Sequence, residues 1–275
     1  MKKLLSLFVT LMLIVTCAFA TTSCKKANTA RDLDDILKSG EITMATNAEF
    51  APFESKVGED YVGIDIDIAQ AIADYLGVEL KINNMDFDSV VTSVQKGQSD
   101  FALAGLTISE KRQKAIDFSD AYFGAAQYVV VKADDTTFDA CQTKEDVDAI
   151  LATMSGKAAA QTATTGYYYV KGSADFGFSG FSNLDAVAYE SAAMGAMAVV
   201  NGQAKLLIVD DEVAEQTVQA NSGVKAIRIS LSSEEYGIGV NKSNKALTLV
   251  INKVLKELKE DGTLSAIIAR HTAQA

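Results

Sequence analysis

Apolar positions along the chain fall in two periods, and the two alternate. Short runs rich in Val, Ile, Leu and Ala read as strands: EITMAT (41–46), ELKINNM (79–85), FALAGL (101–106), QYVVVK (127–132), KAAAQT (157–162), AVAYE (186–190), KLLIVD (205–210), KAIRIS (225–230) and YGIGV (236–240). Between them the apolar spacing widens to that of a helix. Ile64, Ile68, Ala71, Ile72, Tyr75 and Leu76 share one face, and Gly77 stands where a C-terminal cap falls. Val90, Val91 and Val94 mark a shorter helix ended by Gly97, and Ala192 to Val200 one stopped by Asn201-Gly202. Residues 245–260 form a long amphipathic helix that Asn244 caps and Asp261-Gly262 stops. Alternating strands and helices predict an α/β fold with mostly parallel sheets.

The chain has one proline, Pro52, so no proline-rich linker separates domains. Two lobes must then be joined by strands that cross between them, and Ala121–Ala125 and Ser232–Tyr236 are the candidate crossings. This divides the folded part into a first lobe, 40–122 with 236–275, and a second lobe, 123–235. Ligands of such folds are expected in the crevice at the carboxyl ends of the strands.

The N-terminus changes the picture of where the protein resides. Met1-Lys2-Lys3 precedes an apolar run from Leu4 to Ala20, and no acidic residue stands ahead of Arg31, which reads as a secretory leader over 1–23. Two cleavage readings stay open: after Ala18-Phe19-Ala20 by ordinary signal peptidase, or before Cys24 in Thr21-Thr22-Ser23-Cys24, which resembles a lipobox. The polar stretch after Cys24 favours the second, making Cys24 the site of lipidation, 24–39 a tether and the membrane a partner through the lipid anchor. Cys17 lies in the leader, so Cys141 is then a thiol with no partner.

Composition excludes other classes. Hydrophobic residues make up 48% of the 275, enough for a substantial core. The net charge of −11 becomes more negative once Lys2 and Lys3 leave with the leader, and such a surface repels nucleic acid. The sole histidine, His271, has no catalytic partners in view, and no ligand spacing for a metal or cofactor stands out.

The candidate chemistry lies in FALAGLTISEKRQKAIDFSDAYF (101–123). Its strand end offers backbone N–H groups and a hydroxyl at Gly105 and Thr107, and Arg112 offers a planar fork that pairs with a carboxylate in two parallel hydrogen bonds. Asn47, Glu49 and Phe50 follow the first strand, Phe87 follows the second, and QTATTG (161–166) and LLIVDD (206–211) belong to the second lobe.

Seven motifs in order, APFE (51–54), VGIDIDIAQAIADYLGV (62–78), AGLTISEKRQKAIDFSDAYF (104–123), TTG (164–166), VDD (209–211), YGIGV (236–240) and DGTLSAI (261–267), make the chain resemble the periplasmic polar amino-acid-binding proteins of bacterial ABC importers, solute-binding protein family 3. The resemblance implies a two-lobe, type II periplasmic-binding-protein-like fold. It also implies a non-enzymatic receptor that hands an amino acid to permease subunits. By the same resemblance Arg112 and Thr107 hold the ligand carboxylate, with N–H groups near Thr165 and Gly166. Asp210 and the Gly105 carbonyl take its ammonium, and Phe50 and Phe87 sandwich its side chain. One acid of Asp210 and Asp211 caps the following helix.

The chain also departs from that pattern. Asn47 stands where relatives carry an aspartate facing the ligand side chain, which implies a neutral polar amino acid. A basic one is the runner-up if Glu49 compensates as a specificity residue. Ala163 replaces a glycine, and Ala269-Arg270-His271 replaces an aromatic pair. A lyase of the cyclohexadienyl-dehydratase type is the alternative function, with Glu49 as its only candidate acid.

Overall fold

The computed structural model describes residues 30–272. The leader, both cleavage sites, Cys17 and Cys24 lie outside the described residues. In chain order the elements are α1 (Leu33–Ser39), β1 (Glu41–Thr46), β2 (Glu49–Phe50), β3 (Glu54–Val57), β4 (Asp60–Val62), α2 (Ile64–Leu76), β5 (Glu79–Asn84), α3 (Phe87–Gln95), β6 (Phe101–Ala102), α4 (Glu110–Gln113), β7 (Asp117–Phe118) and β8 (Phe123–Ala125). There follow β9 (Gln127–Lys132), α5 (Lys144–Thr153), β10 (Gly156–Gln161), α6 (Thr165–Lys171), β11 (Leu184–Tyr189), α7 (Ala192–Val200), β12 (Leu206–Asp210) and α8 (Asp211–Ala220). The run closes with β13 (Val224–Ile227), β14 (Glu234–Tyr236), β15 (Gly239–Val240), α9 (Lys245–Glu260) and α10 (Thr263–Thr272).

Two five-stranded sheets form, one in each lobe, in the orders β5-β1-β6-β15-β7 and β11-β10-β12-β9-β13. Both are mixed. Strands reached through a helix pair in parallel, β1 with β5 and β6, and β10 with β11 and β12. β9 and β15 arrive directly from the crossing strands without a helical crossover, so they enter antiparallel. β8 and β14 pair antiparallel as a ribbon of their own, at the two segments expected to cross. Phe53 and Phe123 pack against the ring of Tyr236 there, with centroids 5.1 and 5.9 Å away.

Two predicted strands divide differently. FALAGL keeps only Phe101–Ala102 in the sheet, because the chain turns out of the ladder toward Gly105, whose φ of 51° is left-handed. YGIGV is two strands: Tyr236 ends the ribbon while Gly239–Val240 joins the first sheet. One apolar run thus serves two sheets.

The stretch expected to be a tether, 24–39, is folded over its last part. Residues 33–39 form α1, with the Asp32 carboxylate accepting from Asp35 N at 2.8 Å and Gly40 closing the far end at φ 73°. Ile36 is fully buried, and Arg31 forks onto the buried carboxylate of Asp100. The charge pair and the cap hold residues 31–40 to the first lobe. The small antiparallel sheet β2-β3-β4 was not foreseen either, since its strands are very short and mostly exposed.

The apolar face of α2 includes Ile64, Ile66, Ile68, Ala69 and Ile72, while Tyr75 is exposed. His271 near the end of α10 is hydrogen-bonded to Asp67 of α2 at 2.7 Å, a structural use for the lone histidine. Cys141 is half-buried and free, and burial raises its thiol pKa.

Candidate functional site

Arg112 lies on the one-turn helix α4, whose start is set by Ser109: its hydroxyl accepts from Arg112 N at 3.3 Å. The short helix tips the guanidinium inward, where the residue is only 6% exposed. One arm donates to Thr107 O at 2.8 Å and another to Ala163 O, across the lobes, at 3.4 Å. Among the described residues Arg112 forms no ion pair within contact distance. Burial lowers its pKa to about 10, and Glu234 and then Asp210 oppose that shift. The planar cation lies 5.3 Å from the centre of the Phe87 ring and 5.6 Å from that of Phe176.

The carbonyl that receives Arg112 belongs to the residue expected to differ from its relatives. Ala163 has φ 60°, a left-handed conformation that costs a residue with a Cβ about 1–2 kcal/mol.

Thr107 and Thr165 meet across the cleft at 3.2 Å, and the Thr107 hydroxyl donates to Glu234 Oε2 at 2.8 Å. Thr165 and Gly166 begin α6, capped by the Thr164 hydroxyl. Gly166 is required by space: a Cβ would lie 2.7 Å from Ile208 O and 2.8 Å from Gln127 Oε1.

Asp210 ends β12 and is 4% exposed. Its side chain makes no cap to α8, while Asp211 accepts from Glu212 N at 3.0 Å. Tyr236 O–H donates to Asp210. Burial, and then the charge of Glu234, push the Asp210 pKa up to about 8.

The other expected residues sit as follows. Phe50 is buried, stacks on Phe53 at 5.8 Å and leans on Gly105, where a Cβ would come within 2.6 Å of the ring. Phe87, half-buried at the start of α3, presents its ring face to Arg112. The Gly105 N–H, expected to be open to a ligand, donates instead to Asp65 Oδ2 at 2.8 Å, because that buried carboxylate needs a donor. Asn47 is buried and spans the lobes: its Oδ1 accepts from Gln161 Nε2 at 2.8 Å, while its Nδ2 donates to Met85 O. Glu49 is exposed on β2.

A cavity of about 290 Å³ lies against Arg112, lined also by Phe87, Lys111, Ala163, Tyr168 and Phe176. A smaller one, about 100 Å³, shares Phe87 and Asp88 with it and is otherwise lined by Asp86, Thr162 and Glu190. A larger groove of about 660 Å³ touches Thr107, Thr165 and Glu234 but neither Arg112 nor Asp210. The site thus holds a buried guanidinium at Arg112 and a buried acid at Asp210, close enough for the acid to act on the cation.

Sequence reasoning missed Glu234, Gln127, Gln161 and Tyr236. Glu234 accepts from Thr107, from Gln127 Nε2 at 3.0 Å and from Ser232 at 2.6 Å, so it is a hub where the crossing ribbon meets both lobes. The only signal available was an acid in a segment already suspected of crossing.

A family model for the bacterial extracellular solute-binding proteins, family 3, matches residues 42–274. The arginine-binding extracellular protein ArtP of Bacillus subtilis is 29% identical over 262 residues, 94% of each chain. Among solved structures, a mutant of ArgBP from T. maritima has a TM-score of 0.75 at 33% identity, covering 88% of this chain and 99% of that one. The substrate-binding protein AbpA of Streptococcus pneumoniae, bound to L-arginine, has a TM-score of 0.76 at 30% identity, covering 87% and 98%.

Proposed function

The chain belongs to the bacterial extracellular solute-binding proteins, family 3, and on that premise we propose that its cleft captures an amino acid and presents it to the permease of an ABC importer. The observation that carries this reading is Arg112, a buried cation whose hydrogen bonds in the protein go to two carbonyls, one from each lobe. A carboxylate brought to it gains charged hydrogen bonds worth roughly 1.5–3 kcal/mol each. Thr107 and the backbone near Thr165 and Gly166 assist, and Asp210 with the Gly105 carbonyl receives the ammonium. A ligand touching residues 47–112 and 161–210 at once favours closure of the lobes 40–122 with 236–275 and 123–235.

A cationic side chain, arginine first, suits the smaller cavity, whose lining combines Asp86, Asp88 and Glu190 with Phe87. Two relatives, ArgBP of T. maritima and AbpA, have solved structures described as arginine-bound. The neutral polar amino acid expected from Asn47 is the second reading; the amide pair Asn47–Gln161 favours it, offering no charge. The exposure of Glu49 speaks against its supplying the missing charge, and a family of binding proteins does not favour the lyase. Export with a lipid on Cys24 completes the proposal and makes the receptor a membrane partner.

Calorimetry of the purified protein against the amino acids tests both readings. Tight binding of arginine over glutamine supports the cationic choice, the reverse order supports the neutral one, and no binding of any amino acid rejects the receptor.

A further inference from the structure

β3 carries an acid where its surroundings are core. Glu54 is fully buried, and neither carboxyl oxygen has a hydrogen-bond partner among the described residues when both acids are ionised. Beside it lies Asp65 of α2, also fully buried. Asp65 is well served: Oδ2 accepts from Gly105 N at 2.8 Å and Oδ1 from the Tyr122 hydroxyl at 2.7 Å. Two adjacent carboxylates out of water, with no cation bonded to either, are costly. Neither can donate to the other until one carries a proton, and then their contact becomes a hydrogen bond.

We propose that Glu54 is held as a neutral acid donating to ionised Asp65, and that this pair positions the Gly105 backbone for the ammonium end of the ligand. The inference rests on the receptor reading above. Asp65 pins the N–H of Gly105 from behind, holding the residue between the rings of Phe50 and Tyr236. Tyr236 also donates to Asp210, so one ring braces both acceptors expected for the ammonium. Glu54 is a positioning residue that acts through Asp65.

The groups that face Glu54 are Asp65 on α2, Tyr122 ahead of β8 and Asp210 at the end of β12. Asp210 is faced in turn by Tyr236 and Glu234 of β14 and by Arg112 of α4. Burial, then Asp65, holds the Glu54 carboxyl well above the usual range, while burial lifts Asp65 to about 6 against the pull of its donors.

The test compares wild type, Glu54→Gln, Glu54→Ala and Asp65→Asn. Infrared spectra of the ligand-free protein should carry the carbonyl stretch of a protonated acid that Glu54→Gln removes. The pH dependence of stability should show about one proton fewer taken up on folding in Glu54→Gln, a readout that packing alone does not move. Glu54→Gln still donates to Asp65 and should bind arginine or glutamine within about threefold of wild type. Glu54→Ala and Asp65→Asn should lose about tenfold or more, the scale of one hydrogen bond to a charged group. If Glu54→Ala does not fold, Asp65→Asn decides the affinity arm. Absence of an acid band that Glu54→Gln removes, or wild-type affinity in Glu54→Ala or Asp65→Asn, overturns the inference. A wild type that shows the band yet binds no amino acid rejects the receptor and the positioning role together, leaving the acid pair standing.

Discussion

Gln161 of the second lobe donates to the side-chain carbonyl of Asn47 in the first at 2.8 Å, so a neutral amide pair closes the cleft where related proteins are expected to place a charge. The other face of Asn47 donates to Met85 O at 2.9 Å. Its amide is therefore committed at both ends, and its orientation is set by its partners.

That commitment makes Asn47→Asp informative. A carboxylate keeps the bond from Gln161 but faces Met85 O without a donor, and it adds a negative charge to the cleft. The ratio of arginine to glutamine affinity should rise by about tenfold, the scale of one charged hydrogen bond. Calorimetry with both ligands measures it, and an unchanged ratio would show that Asn47 does not face the ligand side chain.

Arg112→Ala should abolish the ligand-dependent rise in melting midpoint for every amino acid, because the carboxylate clamp is common to them all. Arg112→Lys should weaken binding by about tenfold or more, since an ammonium cannot reproduce the planar two-point fork. Normal binding in either variant removes Arg112 from its assigned role.

Asp210 gives the site a pH dependence with a definite sign. Its ordinary pKa of 3.8 is raised to about 8 in the folded protein by burial and by Glu234. The ligand-free native state therefore holds a proton that the unfolded state has released, so stability falls as pH rises from about 4 toward 8. A ligand ammonium needs the carboxylate charged, so binding near neutral pH should release a proton and affinity should fall with acidification. Calorimetry in two buffers of different ionisation enthalpy should give different binding heats. Asp210→Asn should remove that difference.

The docking of α1 is testable by stability alone. Asp100 is buried and accepts from Arg31 twice and from Thr43 N at 2.7 Å. Asp100→Ala leaves Arg31 Nε and Thr43 N without their acceptor and should cost about 2–4 kcal/mol in urea unfolding. Asp32→Ala removes only a cap and should cost about 1 kcal/mol. Equal losses in the two would show that the ion pair contributes nothing beyond the helix end.

Much of the fold was legible because helix and strand periods are local. The Ile64–Leu76 helix with Gly77 at its end, the Asn244 cap of α9 and the core strands could be read from spacing and turn residues. Arg112, Thr107 and Asp210 could be read as candidates only through the ordered motifs that carry the family resemblance, because a lone arginine or an acid ahead of a helix has ordinary structural uses. The short strands β2 to β4 gave no alternation to read, and α1 was hidden because its Asp32 and Gly40 signals lie in a polar stretch that resembled a tether.

Local chemistry wrote the order of helices and strands, the acidic surface and the resemblance to a binding-protein family into the chain itself. Which groups share a proton or a ligand was decided by folding. Residue 54 meets 65 when β3 packs on α2 within the first lobe; 107 meets 234, and 47 meets 161, only when two lobes and a crossing ribbon bring distant segments together. Burial then alters what each acid can do, since the free energy of a charge depends on the solvent and partners around it, and neither is encoded by its neighbours along the chain.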